Sequence, residues 1–166
     1  SMDGLLKKGN RVWLTKTNNL KRKLKYTLQI IQDKKSKVGV NTHLTNKIVL
    51  HALENNLIKE FNKEIKIKPE TKYGSSTRFD FLITKKNLKI FLEVKNVTLS
   101  RVNGLAEFPD AITSRGLKHI NELINAGQEG YKIFILFLIQ RDDCKYFSIA
   151  KDIDIEYSNS LSKAVK

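Results

Sequence analysis

The chain has 166 residues, enough for one domain with a sizeable core or a small module joined to a domain. Thirty-one Lys and Arg against seventeen Asp and Glu give a net charge of +14, and a mean hydropathy of −0.37 describes a soluble globular protein. The longest apolar run, Ile133–Ile139, is too short to span a bilayer, no secretion-type leader opens the chain, and the lone Cys144 excludes a disulfide framework, so a cytoplasmic protein with no membrane partner is expected.

Residues 1–40 carry eleven basic and two acidic residues, an excess of nine out of the total of +14. Arg11–Thr15 and Tyr26–Gln32 suit strands, being rich in β-branched and aromatic residues, and Val38–Val40 suits a short third one. Between the first two lies a polar, basic loop, Asn18–Lys25. The expectation is a small β module with too few strands to close a barrel unaided. Its cations Arg11, Lys16, Lys21, Arg22, Lys23 and Lys25 suit a nucleic-acid backbone, since each neutralised phosphate releases condensed counterions. Trp13 and Tyr26 either stack on bases of a single strand or form the core of the module, the second being the simpler expectation. A Lys-rich composition, with 25 Lys among the 31 cations, is the bland alternative for the charge itself.

From Asn41 the pattern turns helical. Asn41 or Thr42 can cap a helix running to about Asn56, with Leu44, Ile48, Ala52 and Leu53 along one face. A strand edge at Ile65–Lys68 precedes the Gly74-Ser75-Ser76 break, and Arg78–Thr84 and Leu88–Lys95 flank a tight turn at Lys86-Asn87. Residues 99–113 read as irregular. Ser114 is expected to cap a helix with Leu117, Ile120, Leu123 and Ile124 on its apolar face. Tyr131–Gln140 reads as a strand covered on both faces. Ile153, Tyr157, Leu161 and Val165 recur every fourth residue and predict a closing helix. The chain from residue 41 to 166 therefore has the order αβββαβ, an α/β fold, behind a basic β module of residues 1–40.

A turn centred between Lys86 and Asn87 fixes the hairpin register. Phe79, Phe81 and Ile83 then face Val94, Leu92 and Ile90 on one side. On the other, Leu82 opposes Phe91, Asp80 opposes Glu93 and Arg78 opposes Lys95. Two carboxylates in an interior hairpin repel one another and resist burial. A hard divalent cation such as Mg²⁺ or Mn²⁺ would compensate, with Lys95 beside it to position a water or to stabilise charge on a phosphate. The competing arrangement is a Glu93–Lys95 ion pair with Asp80 capping a turn. Element order favours the first, a metal-dependent phosphodiesterase site of Asp80, Glu93 and Lys95.

Other residues carry weaker signals. Asn41 and His43 open the first helix of the larger domain, as an N-cap and a surface His or as further active-site groups. Glu54 and Glu60 offer helix carboxylates, though Glu54 suits a solvated face. Asp110 and Thr113 read as turn and cap residues. Arg115 at a helix start is unfavourable unless an anion shares the site, which suggests a phosphate held with the N-terminal amides. Gln140 ends the apolar strand and either reaches the metal site or caps the sheet.

Six stretches carry a resemblance through nearly the whole chain: Asn18–Thr27 (NNLKRKLKYT), Val38–Asn46 (VGVNTHLTN), Lys72–Phe81 (KYGSSTRFDF), Glu93–Leu99 (EVKNVTL), Phe108–His119 (FPDAITSRGLKH) and Leu136–Arg141 (LFLIQR). With them the sequence resembles the sugar fermentation stimulation protein A family, within the PD-(D/E)xK nuclease-like superfamily. The resemblance implies an OB-like module joined to a restriction-endonuclease-like domain, in a prokaryotic cytoplasmic protein described as DNA-binding. The superfamily motif falls on Asp80, Glu93 and Lys95. The family pattern has more strands before Gly4-Leu5-Leu6 and a further strand after the terminal helix, so the OB-like module here is expected to be partial. Two functions follow: a Mg²⁺- or Mn²⁺-dependent nuclease acting on DNA, or a DNA-binding regulator on a nuclease scaffold with weak or lost catalysis. A homodimer is compatible with either.

Overall fold

The computed structural model describes residue 2, residues 4–61 and residues 64–165. The amino-terminal part is a three-stranded antiparallel sheet of β1 (Val12–Lys16), β2 (Tyr26–Asp33) and β3 (Ser36–Gly39), in the order β1-β2-β3. Its small core is Leu5, Ile31 and Val38, with Met2, Leu28 and Val40 packed against it. Trp13 is only half-buried, with the Lys37 ammonium 5.7 Å from its ring, and Tyr26 is 57% exposed. Neither residue forms the core of the module, contrary to the simpler expectation. Tyr26 pairs with Lys16 beside the basic loop, and Trp13 pairs with Ile30 toward the other end of the sheet.

The larger part runs α1 (Thr45–Glu54), β4 (Ile65–Tyr73), β5 (Thr77–Lys85), β6 (Leu88–Val97), β7 (Leu105–Phe108), α2 (Ser114–Gln128), β8 (Lys132–Ile139), β9 (Tyr146–Ile149) and α3 (Ile155–Ala164). Its main sheet has the order β4-β5-β6-β8, antiparallel except for the parallel β6–β8 pair. This is the expected αβββαβ core. A parallel pair needs a crossover, and α2 supplies it. On one face of the sheet Val49 and Leu53 of α1 pack on Phe81, Ile83, Ile90, Leu92 and Val94. On the other, Leu123 and Ala126 of α2 pack on Phe79 and Phe91. Among the described residues no helix is long and apolar enough to cross a membrane.

Four details depart from the sequence expectations. The irregular stretch 99–113 contains β7, which pairs in parallel with β9 in a second small sheet. β8 is the edge strand of the main sheet and none of its residues is fully buried, although Leu136 and Leu138 pack on the α1 face and Ile133 and Ile135 on the α2 face as expected of a strand covered on both sides. The first helix begins with a 3-10 turn at Thr42–Leu44 and becomes α-helical only at Thr45. Thr113, not Ser114, caps α2, its Oγ1 accepting the Gly116 N–H at 3.0 Å.

The two parts are tied together at the end of β8. The Gly39 N–H donates to the Gln140 carbonyl at 2.8 Å, and Val38 bridges Arg141. The Arg141 guanidinium, 4% exposed, reaches Asp33 Oδ2 at 3.1 Å, Asp143 Oδ2 at 2.8 Å and the Thr98 carbonyl at 2.9 Å.

Candidate active site

The β5–β6 hairpin has the register read from the sequence, with Phe81 opposite Leu92, Leu82 opposite Phe91 and Ile83 opposite Ile90. Ladder pairing stops at Phe81. One residue further, Asp80 Oδ2 accepts the Val94 N–H at 2.7 Å, so a side-chain carboxylate stands where a backbone carbonyl would pair. The ladder on the other side of β5 is interrupted at the same level. Pro69 pairs with Phe81 and Thr71 with Phe79, while Glu70 between them adopts φ 51°, a left-handed conformation uncommon outside glycine. Across this break Phe79 leaves the α1 face and packs on Phe91, with ring centroids 4.8 Å apart. Strict alternation had put it beside Val94; the interruption at Asp80 is the reason it does not lie there.

Asp80 is held from a second direction. Asn46, in the first turn of α1, donates its side-chain amide to Asp80 Oδ1 at 2.7 Å. Burial, and next the neighbouring Glu93 charge, push the Asp80 carboxyl above its ordinary value; the Val94 and Asn46 hydrogen bonds and the Lys95 charge oppose this without cancelling it.

Glu93 is more deeply placed, with its side chain 4% exposed. Its Oε1 takes the Lys95 ammonium at 2.8 Å and lies 2.5 Å from His119 Nδ1. Burial pushes the Glu93 carboxyl up, but the His119 hydrogen bond and the Lys95 charge outweigh it and leave the group below its ordinary value. Glu93 Oε2 is buried and has no hydrogen-bond partner. The Tyr157 hydroxyl, also buried and without a partner, is raised above its ordinary range by burial and then by the Glu93 and Asp154 charges. An orphaned carboxylate oxygen beside a second carboxylate of raised proton affinity fits a hard cation. Among the described residues no three His, Cys, Asp or Glu side chains converge into a closed cage. Mg²⁺ does not need one, since it binds through one or two carboxylates and keeps waters for the rest.

The ion pair of Glu93 with Lys95, weighed from the sequence as the competing arrangement, is therefore present. Asp80, though, caps no turn; it is bonded to the strand and helix that flank the site. Gln140 does not touch either carboxylate. Its amide donates to Asn96 Oδ1 and, at 3.3 Å, to Thr45 Oγ1, residues that adjoin Lys95 and Asn46 in the chain. Gly39 packs closely there: a Cβ on it would lie 2.6 Å from Gln140 Oε1 and would make the Gln140 side chain shift.

Asn41 acts as an N-cap, accepting the His43 N–H at 3.1 Å and donating to Gln29 Oε1 at 2.8 Å, and His43 is exposed. Arg115 is exposed in the first turn of α2, and it is His119, one turn on, that reaches Glu93. Arg11, Lys16, Lys21, Arg22, Lys23 and Lys25 are all exposed on the amino-terminal sheet and its loop. Asn46 and His119 are the contributors that sequence reasoning did not assign. The signal for His119 was legible: with Gly116, Ile120, Leu123 and Ala126 it falls on the buried stripe of α2.

Residues 43–166 match the family model described as the sugar fermentation stimulation protein RE domain, and residues 1–40 match the SfsA N-terminal OB domain. The chain is 54% identical over 166 residues to a sugar fermentation stimulation protein homolog of Pelagibacter ubique, covering 100% of this chain and 72% of that protein. It is 43% identical over 167 residues to a homolog of Bartonella quintana, of which it covers 71%. Among solved structures, Pyrococcus furiosus SfsA in complex with Ca²⁺ matches with a TM-score of 0.84 and 28% identity over 93% of this chain; the chain spans 65% of that protein. With both segments matched and the fold reproduced, the chain belongs to the sugar fermentation stimulation protein (SfsA) family.

Proposed function

We propose that this protein binds DNA and that Asp80, Glu93 and Lys95 form a Mg²⁺- or Mn²⁺-dependent site for phosphodiester hydrolysis. The observation that carries the proposal is the pairing of a partnerless, buried Glu93 Oε2 with an Asp80 whose proton affinity is raised by burial and by Glu93. A cation against these oxygens relieves both costs. That the Pyrococcus furiosus relative was solved in complex with Ca²⁺ supports a divalent-cation site here.

A cation held by Asp80 and Glu93 would supply positive charge to polarise the scissile phosphate and to acidify a water. The chain's own groups do the rest. Asn46 and the Val94 N–H fix the Asp80 carboxylate from two sides. Lys95, 12% exposed, stands at the rim of the pair, where its ammonium orients a water or stabilises charge on the phosphate. The exposed cations of residues 11–25 hold the strand by its phosphates.

The test is incubation of single- and double-stranded DNA with Mg²⁺ or Mn²⁺, comparing wild type with Asp80→Ala and Lys95→Ala. Loss of cleavage in both variants supports the site, and cleavage that survives both removes it. A second reading, a DNA-binding regulator without turnover, is favoured by one feature: Lys95 is held to Glu93 Oε1. In that case binding persists without metal and no cleavage accompanies it.

A further inference from the structure

The Glu93 carboxylate is divided between two environments. Oε1 takes both Lys95 and His119, and Oε2 is buried with no partner. A carboxylate held only by Lys95, a long side chain with three rotatable donors, would be free to exchange its oxygens. The imidazole removes that freedom. His119 is 8% exposed, its ring stands edge-on to Phe79 at a centroid distance of 6.4 Å, and its backbone is in the interior of α2.

The helix itself is seated tightly at this point. Thr113 and Asp154 cap it from below, Asp154 Oδ2 accepting the Thr113 N–H at 2.9 Å. A Cβ at Gly116 would lie 2.8 Å from the Thr113 side chain that caps the helix and 3.2 Å from the buried Tyr157 ring, so the helix start is closely packed here. Gly116 lies one turn before His119 on the same buried stripe of α2.

Resting on the metal-site proposal above, we infer that His119 is a positioning residue for Glu93: its Nδ1–H fixes Oε1 and leaves Oε2 as the oxygen available to a cation. Partners of this kind orient ligating side chains, and their removal lowers metal affinity about 10- to 100-fold.

The experiment is a Mn²⁺ titration of the whole chain, with free Mn²⁺ read by electron paramagnetic resonance, on wild type, His119→Phe, His119→Asn, His119→Gln and Asp80→Asn. The amide nitrogen of Asn overlays Nδ1, whereas that of Gln overlays the far ring nitrogen. Phe and Gln should weaken Mn²⁺ binding by about tenfold or more, and Asn should restore it to within a few-fold of wild type. If His119→Phe does not fold, the Asn and Gln pair decides alone. Wild-type affinity in His119→Phe or His119→Gln, or an Asn variant as weak as the Gln variant, overturns the inference. In that event loss of binding in Asp80→Asn leaves the metal site standing. A wild type that takes up no Mn²⁺ overturns both.

Discussion

Asp80 Oδ2 accepts the backbone N–H of Val94 at 2.7 Å, at the level where the β5–β6 ladder would have placed a carbonyl. A carboxylate thus replaces a main-chain acceptor and is brought beside Glu93. Asp80→Asn keeps an acceptor oxygen for that N–H, presents an NH2 from which Asn46 can accept by turning its amide over, and removes the repulsion with Glu93, so without metal it should be at least as stable as wild type near neutral pH. Asp80→Ala leaves the Val94 N–H and the Asn46 amide without their acceptor and should cost about 1–3 kcal/mol. Urea denaturation of the two variants checks this. Equal destabilisation by Asn and Ala would contradict it.

The pH dependence of folding separates the two carboxylates. Asp80 has a folded pKa above its ordinary 3.8, so the folded state binds its proton more tightly. Stability from this group falls as pH rises from that value through the folded pKa. Glu93 has a folded pKa below its ordinary 4.5, so its contribution is present above 4.5 and is lost as pH falls through the folded value. Denaturation midpoints between about pH 3 and 7 should therefore lose the acid-side decline in Glu93→Gln and the decline with rising pH in Asp80→Asn. Identical profiles for both variants and wild type would sink the assignment.

The basic loop gives a salt-dependence prediction. Replacing Lys21, Arg22, Lys23 and Lys25 together by Ala should weaken binding to DNA of any sequence. The slope of log affinity against log salt should drop by about 0.7–0.9 for each phosphate that is no longer neutralised. Fluorescence anisotropy across a salt series measures it. An unchanged slope would place the DNA elsewhere.

Arg141 joins the amino-terminal sheet to the main one. Arg141→Ala would leave Asp33 and Asp143 facing each other without their shared cation, and should destabilise the chain by about 3 kcal/mol. A urea midpoint within error of wild type would show that the junction holds without this residue.

Much of this was legible in the sequence where local rules act. The tight turn at Lys86-Asn87 and the alternation on either side were enough to register the hairpin as far as Phe81–Leu92; beyond it Asp80 feels the Glu93 charge but bonds the Val94 N–H rather than pairing with Glu93 in the ladder. The αβββαβ order followed from the change of hydrophobic period. The rest depended on contacts between distant segments. β7 and β9 are short strands whose apolar residues look unremarkable until Leu105–Phe108 meets Tyr146–Ile149. Whether Tyr131–Gln140 was an inner or an edge strand could not be read from its own apolar run, and β8 lies at the edge. The break at Asp80 moved Phe79 to the other face, because a side chain there takes over a main-chain hydrogen bond. His119 sat on the apolar stripe of its helix, where a histidine most simply packs, and its contact with Glu93 joins two elements far apart in sequence.

The pairing of Asp80 with Glu93 around a cation can be observed directly by soaking crystals of the chain with Mn²⁺ and collecting anomalous diffraction. The expected result is a peak in contact with Asp80 and with Glu93 Oε2, with His119 still on Oε1. No peak there, with Lys95 and His119 both on Oε1 and Oε2 still without a partner, would contradict it.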